Sequence, residues 1–471
     1  METVTSTAKK ISTLPIPKGK FLLGNLPDFK ADSKHKVLEN WVAECGPLFR
    51  LNFAGKRIVV SADPDMNGQI LRLRPEKFRR YTRISQILEE MGVLGTFNAE
   101  GDTWRKHRKT ASEALSLKKV RGFYPSIASK TQRLLNKWQK LANAGTAIDV
   151  QKEFMRYTVD VTTEIAFGYP LDTINGAKDD FQADYERIFP MINARISAPI
   201  PWWRFLKQEK DKELDKAIAA IEGLIFRFIG EARERLQKAP ELKANPSNFL
   251  EALLVEQENG ERFSDREIYG NVFTMLMAGQ DTTANTISWS LFYLAQKPEL
   301  VARIREEANA VYGSTALPQD DRAINELKLA HAVAQETIRM KPVSPNLFME
   351  ALVDQEVNGL AIPKGTLVLL QNKVAQTDET YFTNAADFIP ERWIRNACPM
   401  HNAHNPDVIR AFGGGPRFCP GKNLATYEMI VVISTLCKHF DIGLAVPPGE
   451  VKEKYAFTMF PENLLINLKP V

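Results

Sequence analysis

The chain has 471 residues, 44% of them hydrophobic and 25% charged, and a formal net charge of +5. This composition is typical of a folded globular protein, and because no basic run is interleaved with aromatic residues, nucleic-acid binding is not expected. Four cysteines in such a length do not make a disulfide framework, which favours a reducing compartment, the cytoplasm. Residues 1–40 contain no apolar run near the roughly 18 residues of a membrane span, so no transmembrane anchor is predicted.

No linker, repeat or low-complexity run divides the chain, which predicts a single large domain over residues 1–471 with an irregular N-terminal arm at 1–30. A short amphipathic helix near 36–44 follows the arm, and 48–53 and 57–61 alternate as a β-hairpin around Ala54-Gly55. Helical periodicity then dominates. The clearest predicted helices are 103–115, 126–142, 150–166, 210–237, 264–296, 298–312 and 323–340.

Strand patterns return after the proline-rich break at 342–345. Residues 348–354 and 359–362 flank an Asn358-Gly359 turn, and 366–371 continues the extended pattern. A last helix runs from about 424 toward 438, before extended C-terminal pieces. The sequence therefore predicts a mainly α protein with a small, discontinuous β-sheet region drawn from both halves of the chain, an α+β fold.

One apolar segment, 199–205, holds Trp202 and Trp203. Such a cluster either packs internally, the more frequent outcome, or contacts a bilayer surface.

Polar residues interrupt the predicted helix 264–296, where Ala278-Gly279-Gln280-Asp281-Thr282-Thr283 lies in an apolar run. Glycine costs roughly 1 kcal/mol there relative to alanine, and a threonine hydroxyl can bond back to a carbonyl one turn earlier. A helix loosened in this way would admit a small ligand and water. The alternative interpretation is a helix crossing at Gly279 with exposed polar neighbours.

Two helical pairs have spacings that place both side chains on one face. Trp104 and Arg108 are four residues apart, and Glu336 and Arg339 are three apart. Alone, the first is more often plain helix surface and the second a surface ion pair worth well under about 1 kcal/mol.

The segment Phe412–Gly421 places Cys419 in a glycine loop before a helical run. The positive end of that helix and the nearby Arg417 favour a thiolate, the form that binds metals. A buried structural cysteine is the alternative interpretation. The other cysteines, Cys45, Cys398 and Cys437, are scattered, with no C-x-x-C or Cys/His cluster.

Phe412, Gly415, Arg417, Cys419 and Gly421 fill F-x-x-G-x-R-x-C-x-G, and this loop resembles the haem-ligand loop of the cytochrome P-450 family. Further segments resemble the family in its own order along the chain. They are W-x-x-x-R at 104–108, A-G-x-D-T at 278–282, E-x-x-R at 336–339 and P-E-R-W at 390–393.

The resemblance implies the cytochrome P-450 fold and a haem b cofactor whose iron is bound by Cys419. It implies that Thr282 is the alcohol that holds dioxygen and a catalytic water, and that Asp281 relays protons from solvent. It also implies a structural network of Glu336, Arg339 and Arg392 that fixes the cysteine loop. The residues implied in cofactor binding are Trp104, Arg108, Ala278, Phe412, Gly413, Arg417, Cys419 and Gly421.

One family feature is missing. Many relatives place an arginine for a haem propionate about ten residues beyond the E-x-x-R arginine, where this chain has Phe348 and Met349.

The resemblance also places the substrate pocket, with 81–97 as a mobile loop over the haem. Because the candidate residues are mainly apolar or aromatic, a lipophilic small molecule is expected as substrate. For any one of them, ordinary core packing is the alternative role. The candidates are Tyr81, Phe97, Met275, Ala278, Val343, Leu347 and Phe457.

The implied activity is a haem-thiolate monooxygenase that uses dioxygen. No flavin or nicotinamide fingerprint follows Cys419, so electrons ultimately from NAD(P)H would come through a ferredoxin or flavodoxin-type partner. A monomer is expected. The candidates for a basic docking surface are Arg105, Lys106, Lys109 and Lys422.

Two alternatives stay open. A peroxide-driven peroxygenase or a haem-thiolate isomerase needs no redox partner, although Asp281 and Thr282 argue against it because peroxide already carries its protons. A non-enzymatic haem or ligand-binding sensor would need no proton relay at all.

Overall fold

The computed structural model describes residues 8–29, 33–53, 55–176, 179–198, 200–260, 263–394 and 404–471. Residues 1–7 and 30 of the predicted arm, Ala54 of the predicted turn, residue 199 of the apolar segment and Cys398 lie outside the described residues.

The helices of the described part are α1 (Lys34–Cys45), α2 (Pro64–Arg72), α3 (Thr82–Glu90), α4 (Gly101–Ala114), α5 (Leu117–Gly122), α6 (Tyr124–Asn143), α7 (Val150–Phe167), α8 (Asp179–Glu186), α9 (Ile188–Ser197), α10 (Glu209–Lys238), α11 (Phe249–Glu258), α12 (Asp265–Leu294), α13 (Pro298–Tyr312), α14 (Asp321–Glu326), α15 (Lys328–Met340), α16 (Lys373–Gln376) and α17 (Lys422–His439).

The strands are β1 (Lys9–Lys10), β2 (Leu48–Phe53), β3 (Lys56–Ser61), β4 (Phe78–Arg80), β5 (Ile148–Asp149), β6 (Asn346–Ala351), β7 (Gln355–Val357), β8 (Leu360–Ile362), β9 (Leu367–Gln371), β10 (Phe440–Leu444), β11 (Lys452–Ala456), β12 (Thr458–Glu462) and β13 (Leu465–Pro470).

The mainly α fold with small, discontinuous β-sheets is confirmed. The predicted helix 298–312 has the bounds of α13, and 323–340 divides at Leu327 into α14 and α15. Helices α2, α3, α5, α8, α9, α11 and α16 were not predicted.

Three local predictions need correction. The arm is not wholly irregular, because Lys9 and Lys10 pair in parallel with Leu360 and Ala361. Strand β8 pairs with β7 across Asn358-Gly359, whereas β6 pairs with β4 and β9. The segment 81–97 is not simply a loop, since α3 occupies Thr82–Glu90.

The chain forms two compact units. The first comprises Met1–Gln86, Ser344–Asp387 and Pro399–Cys419, and the second comprises Ile87–Val343, Phe388–Cys398 and Pro420–Val471. The single domain over residues 1–471 stays a prediction.

The first unit is organised around a five-stranded sheet of order β2-β3-β9-β6-β4. Its central pair is parallel, with Ile58 opposite Leu367, although these residues lie far apart in the chain. Alternate side chains leave opposite faces of a strand, so Val59 and Val368 enter one apolar cluster while Ile58, Val60 and Leu369 enter the other. Both faces of this sheet are therefore covered.

The second unit is built on the 30-residue helix α12, against which α7 packs. The approach is close at Gly279, where a Cβ atom would lie 2.8 Å from Thr162 Oγ1. The helix crossing foreseen as an alternative at Gly279 is therefore present. The hairpin β11–β12 also packs on α12, through Tyr455, Met459 and Trp289.

The residues of the apolar segment after α9 differ in burial. Trp203 is buried and its Nε1 donates to Glu90 Oε2 at 2.9 Å. Phe205 and Leu206 are 83% and 70% exposed. Internal packing therefore holds for Trp203 and is wrong for Phe205. Among the residues that the structure describes, none of the helices combines the length and the apolar character that a membrane crossing requires.

Candidate active site

The cysteine loop lies in the first unit and closes on itself. The N–H group of Cys419 donates to the Phe412 carbonyl oxygen at 2.9 Å, and a single 3-10 turn, Gly415–Arg417, stands between them. Cys419 is half-buried and is not in a disulfide. Gly421, the N-cap of α17, lies two residues later in the chain.

Gly415 is the position where this loop requires glycine. Its φ is +64°, in the left-handed region, and a Cβ atom there would lie 2.3 Å from the Leu71 carbonyl oxygen. Gly413 differs, because no described atom lies within 4 Å of the position that a Cβ would take. The loop is thus packed against α2 at one glycine and open at the other, which suits the edge of a flat ligand.

The other described cysteines are poor thiolates. Burial raises the pKa of Cys437 to about 12. Burial, followed by the charge of Glu44, raises the pKa of Cys45. A metal ligand must be deprotonated, so neither thiol is suited to bind iron near neutral pH. The described residues contain no cluster of three or more His, Cys, Asp or Glu side chains that could hold a metal.

Helix α12 carries the acid and the alcohol in the second unit. The helix is uninterrupted from Asp265 to Leu294, and Thr282 Oγ1 donates to the Ala278 carbonyl oxygen at 2.7 Å. The predicted back-bond is therefore present, although the helix is not broken. Ala278 is exposed and Thr282 is half-buried, one turn apart in the mostly buried middle of the helix. This face of α12 is uncovered where a ligand could lie.

Asp281 points away from solvent, with 7% of its surface exposed. Burial raises its pKa to about 7, while a hydrogen bond from Asn285 opposes that rise. A carboxyl with a pKa near neutral can both give and take a proton, which general acid catalysis requires. The helix-crossing alternative assumed that the polar neighbours of Gly279 are exposed. For Asp281 that assumption is wrong.

The partner of Asp281 was not predicted. The hydroxyl of Thr458, at the start of β12, donates to Asp281 Oδ2 from 177 residues away in the chain. Asn285 Nδ2 in turn donates to Thr458 Oγ1 at 3.3 Å. No signal in a single sequence marks such a long-range pair.

Glu336, Arg339 and Arg392 meet in the second unit and are all fully buried. Arg339 donates through Nε and Nη2 to the two Glu336 oxygens at 2.9 and 2.7 Å, and Arg392 Nε donates to Oε1 at 3.1 Å. Trp393 Nε1 and the Ile389 N–H also donate to this carboxylate, each at 2.9 Å. The resemblance anticipated the two arginines but not these last two donors.

Trp104 and Arg108 lie on α4, Trp104 buried and Arg108 half-buried. Their helix is tied to the start of α12 by Glu267, which accepts from Lys106 Nζ at 2.7 Å and lies 3.1 Å from His107 Nε2. Burial raises the pKa of Glu267, but hydrogen bonds from Lys106, the Ser264 N–H and His107 outweigh it and lower the pKa to about 2.

Only part of the predicted pocket can be assembled within a unit. In the second unit the rings of Phe97 and Phe457 are 5.9 Å apart, and Met275 and Ala278 lie on α12. Val343, half-buried, packs against the cluster around Tyr455. In the first unit Tyr81 precedes α3 and Leu347, on β6, packs partly into the sheet core. Core packing is thus one role of Val343 and Leu347.

The positions of the missing arginine are filled by packing in the first unit. Met349 is fully buried in one apolar cluster, and Phe348 packs against the other. Of the basic docking candidates, Lys106 is committed to Glu267, with its side chain only 25% exposed. Arg105, at the surface, pairs with Asp102 at 2.5 Å.

A mainly helical chain with a thiol in a tight glycine turn and an acid beside an alcohol in a long buried helix has the parts of a thiolate-ligated redox enzyme. The "Cytochrome P450" family model matches residues 14–468. The chain belongs to the cytochrome P450 family, and it is an oxidoreductase of the monooxygenase class that takes a haem cofactor and dioxygen and depends on a redox partner.

Curated relatives from three kingdoms agree with this assignment. The chain is 29% identical to "Steroid 21-hydroxylase" of Sus scrofa, over 86% of this chain and 81% of that protein. It is 27% identical to "Bifunctional cytochrome P450/NADPH--P450 reductase 2" of Bacillus subtilis (strain 168), over 98% of this chain and 43% of that protein. It is 25% identical to "Protein LUTEIN DEFICIENT 5, chloroplastic" of Arabidopsis thaliana, over 86% of this chain and 69% of that protein.

Proposed function

We propose that this chain hydroxylates or epoxidises a lipophilic small molecule with one atom of dioxygen, using a Cys419-ligated haem b and electrons from a separate protein. The overall balance is substrate plus dioxygen, two electrons and two protons, giving oxygenated product and water. Haem would supply the activation of dioxygen and the insertion of oxygen into the substrate.

The proposal assigns the thiolate to Cys419 because its loop is the one that fits the ligand. Gly415 permits close packing of the turn, the position beside Gly413 is open, and Cys419 is half-buried. Among the described alternatives, Cys437 has its pKa raised to about 12. Phe412, Gly413 and Arg417 would contact the cofactor from this loop.

The observation that carries a dioxygen-dependent function is the state of Asp281. Its pKa of about 7 and its buried hydrogen bonds allow it to hold a proton at neutral pH. Thr282 has a hydroxyl on the uncovered face of α12, where it would orient a water or dioxygen. Asp281 would give its proton toward that water and regain one from solvent.

Glu336, Arg339 and Arg392 would support the site without taking part in the chemistry. The buried Glu336 carboxylate accepts from both arginines and from the Ile389 N–H, an arrangement that holds backbone segments such as 389–393 in place. We infer that this network maintains the backbone geometry of the second unit around Glu336.

The test of the thiolate is the absorption of the reduced haem protein under carbon monoxide. A thiolate ligand predicts the strongly red-shifted main band, and Cys419→Ser should lose it. A matched Cys437→Ser variant should keep the band. A histidine-type band in fresh wild-type protein would refute the proposal.

We propose a substrate that is held mainly by shape, since the residues that we propose for the pocket in the second unit, Phe97, Phe457, Met275 and Ala278, are all aromatic or apolar. The relative named steroid 21-hydroxylase makes a steroid one candidate class. Fatty acids, terpenoids and aromatic compounds also fit. A spectral titration with dodecanoate, progesterone, β-ionone and naphthalene separates these classes, because a bound substrate that displaces iron-bound water changes the spin state.

The electron donor we propose is a ferredoxin or flavodoxin-type protein fed by NAD(P)H. A relative's name combines cytochrome P450 with an NADPH–P450 reductase, which makes a reductase of that kind the second candidate. Arg105, Lys109 and Lys422 remain candidates for docking, and turnover with an acidic donor should then fall as salt rises. Salt-independent turnover would remove the basic-surface proposal.

The peroxygenase alternative is tested by supplying hydrogen peroxide without reductant. We expect dioxygen with a ferredoxin system to give the faster turnover. Asp281 and Thr282 would deliver protons for that route, whereas peroxide already carries its own. For the cellular setting we propose a monomer in a reducing compartment such as the cytoplasm, since Cys45, Cys419 and Cys437 are all free thiols.

A further inference from the structure

Three buried side chains of the second unit form a hydrogen-bonded chain that the activity so far does not use in full. Thr458 Oγ1 accepts from Asn285 Nδ2 at 3.3 Å and donates to Asp281 Oδ2. Asn285 and Asp281 are one turn apart on α12, whereas Thr458 comes from the hairpin β11–β12. The acid is therefore oriented by a residue on another element.

The hairpin that carries Thr458 turns on a single strained residue. Ala456 pairs with Thr458 across the hairpin, which leaves Phe457 alone at the turn with a φ of +80°. This backbone region is unfavourable for a bulky side chain and persists only where surroundings hold it. The Thr458 hydroxyl is one residue away from that strain.

Aromatic contacts hold the turn in the second unit. The Phe457 ring centroid lies 5.9 Å from that of Phe97 and 5.7 Å from that of Phe189. On either side of the turn the strands are fixed: Met459 N–H donates to the Val343 carbonyl oxygen at 2.8 Å, and Asn193 Nδ2 donates to the Tyr455 carbonyl oxygen at 3.2 Å. Displacement of the Phe457 ring would therefore be absorbed mainly by the short stretch that includes Thr458.

Beyond the hydrogen bonds from Thr458 and Asn285, the surroundings give the acid little polar support. The pKa of Tyr185 is raised well above 10, first by burial and then by the charge of Asp281. Its hydroxyl, and Asn285 Oδ1, are buried without a hydrogen-bond partner among the described residues. Loss of the Thr458 hydroxyl would thus remove one of the donors to Asp281 and leave the hydrogen bond from Asn285.

We propose that Thr458 is a positioning residue for proton delivery by Asp281, and that substrate packed against Phe457 sets the position of its hydroxyl. The inference rests on the proposed monooxygenase function, which assigns the proton to Asp281. Thr458 itself gains and loses no atom in a turnover. It keeps the carboxyl in one rotamer, so that the proton leaves in the direction of Thr282 only when the turn is in its substrate-bound position.

The test uses haem-loaded protein and three variants. Thr458→Val keeps the shape and removes the hydroxyl, Thr458→Ser keeps the hydroxyl, and Thr158→Val is a matched control because the Thr158 hydroxyl bonds to the Phe154 carbonyl oxygen of its own helix. The first readout is the infrared C=O band of the protonated Asp281 carboxyl near pH 6, identified by its absence in Asp281→Asn. We expect Thr458→Val to move this band to higher frequency, and the other two variants to leave it in place.

The second readout is turnover of the panel compound that gives the largest spin-state change. Thr458→Val should slow product formation by about tenfold to a hundredfold and raise the solvent deuterium isotope effect, because a positioned proton donor is lost. The dissociation constant of this compound, measured from the spectral change, should differ by less than about twofold between Thr458→Val and wild type, because the substitution does not alter substrate binding. Thr458→Ser should restore the rate, and adding Thr458→Val to Asp281→Asn should slow it no further.

The second part of the proposal, that substrate sets the position of the Thr458 hydroxyl through Phe457, has its own readout. In wild-type protein, saturation with the same compound should shift the Asp281 infrared band, and Phe457→Ala should abolish most of that shift. An unmoved band and an unchanged rate in Thr458→Val, or equal losses in Thr158→Val, would overturn the inference. Failure of the carbon monoxide test with the infrared result intact would instead overturn the proposed function alone.

Discussion

The cysteine loop and the acid-bearing stretch of α12 are set up by different kinds of information. In the loop, Cys419 is joined to Phe412 seven residues away, and one glycine, Gly415, decides whether the turn can pack. In α12, Asp281 owes its orientation to Thr458, 177 residues along the chain. The first arrangement is local and is legible in a short motif, whereas the second exists only after the hairpin has folded onto the helix.

The largest expected effect tests whether the long-range contacts also dominate stability. Glu336→Gln should lower the free energy of unfolding by about 3–5 kcal/mol, because it removes the carboxylate charge to which the fully buried Arg339 and Arg392 both donate. Urea unfolding of the haem-loaded protein measures this loss. The exposed Asp102 pairs with Arg105, and Asp102→Asn should cost under about 1 kcal/mol. Equal costs in the two variants would contradict the assignment.

The next effect concerns the protonation of Asp281. Its pKa is about 7 in the folded protein and 3.8 as the ordinary value, so the folded state binds the proton more tightly. The stabilisation is fully present below pH 3.8 and is lost as pH rises through about 7. Relative to Asp281→Asn, wild-type protein should therefore lose up to about 4 kcal/mol across this window, at about 1.4 kcal/mol per pKa unit.

Paired unfolding curves at several pH values measure that difference. A gap between wild-type protein and Asp281→Asn that stays constant from pH 4 to pH 8 would show that the carboxyl is not proton-binding in the fold. Asp102→Asn, at an exposed position, provides the control that should show no such trend.

The next comparison is between two glycines of the cysteine loop. Substitution of one introduces a steric clash as well as an unfavourable φ, and substitution of the other introduces the unfavourable φ alone. Gly415→Ala should cost at least about 2 kcal/mol and impair haem retention, since its Cβ would lie 2.3 Å from the Leu71 carbonyl oxygen at a positive φ. Gly413→Ala meets the backbone penalty alone, about 1 kcal/mol, because the space beside it is open. Haem content after gel filtration and thermal unfolding rank the two. A larger effect at Gly413 would reverse this account of the loop.

The smallest effect concerns the tie between α4 and α12. The pKa of Glu267 is lowered to about 2, so its stabilising interactions are present above pH 4.5 and are lost as pH falls toward 2. Glu267→Gln should therefore be less stable than wild-type protein at neutral pH, by under about 1 kcal/mol because the site is partly exposed. The difference should vanish in acid. Persistence of the full difference at pH 2 would mean that the effect is not electrostatic.

The parts of the fold that could be predicted from sequence are those fixed by short-range pattern. Alternation in 48–61 predicts the hairpin, and the 3.6-residue period with Pro298 at the start gives α13 its bounds. Helices α8 and α9 escaped because proline and polar residues blur their periodicity, and the strand partner of β8 was misassigned because β7 has only three residues. A segment with a strong hydrophobic period can be assigned from sequence. In a segment with a weak period, tertiary contacts determine the secondary structure.

The candidate site follows the same division. Cys419, Asp281 and Thr282 could be named from motifs, and so could the three charged residues around Glu336. Thr458, Trp393 as a donor to Glu336, and Glu267 as a link between two helices could not, because each acts through a contact whose partner is set by the fold. The exposure of Phe205 was likewise decided by how Trp203 anchors its segment, not by hydrophobicity.

The most direct test of the central claim is the carbon monoxide spectrum of reduced wild-type protein beside Cys419→His and Asp281→Asn. The account predicts the red-shifted thiolate band in wild type and in Asp281→Asn, and a shorter-wavelength band of a histidine-ligated haem in Cys419→His. A thiolate band that survives in Cys419→His would place the iron on another sulfur and contradict the account.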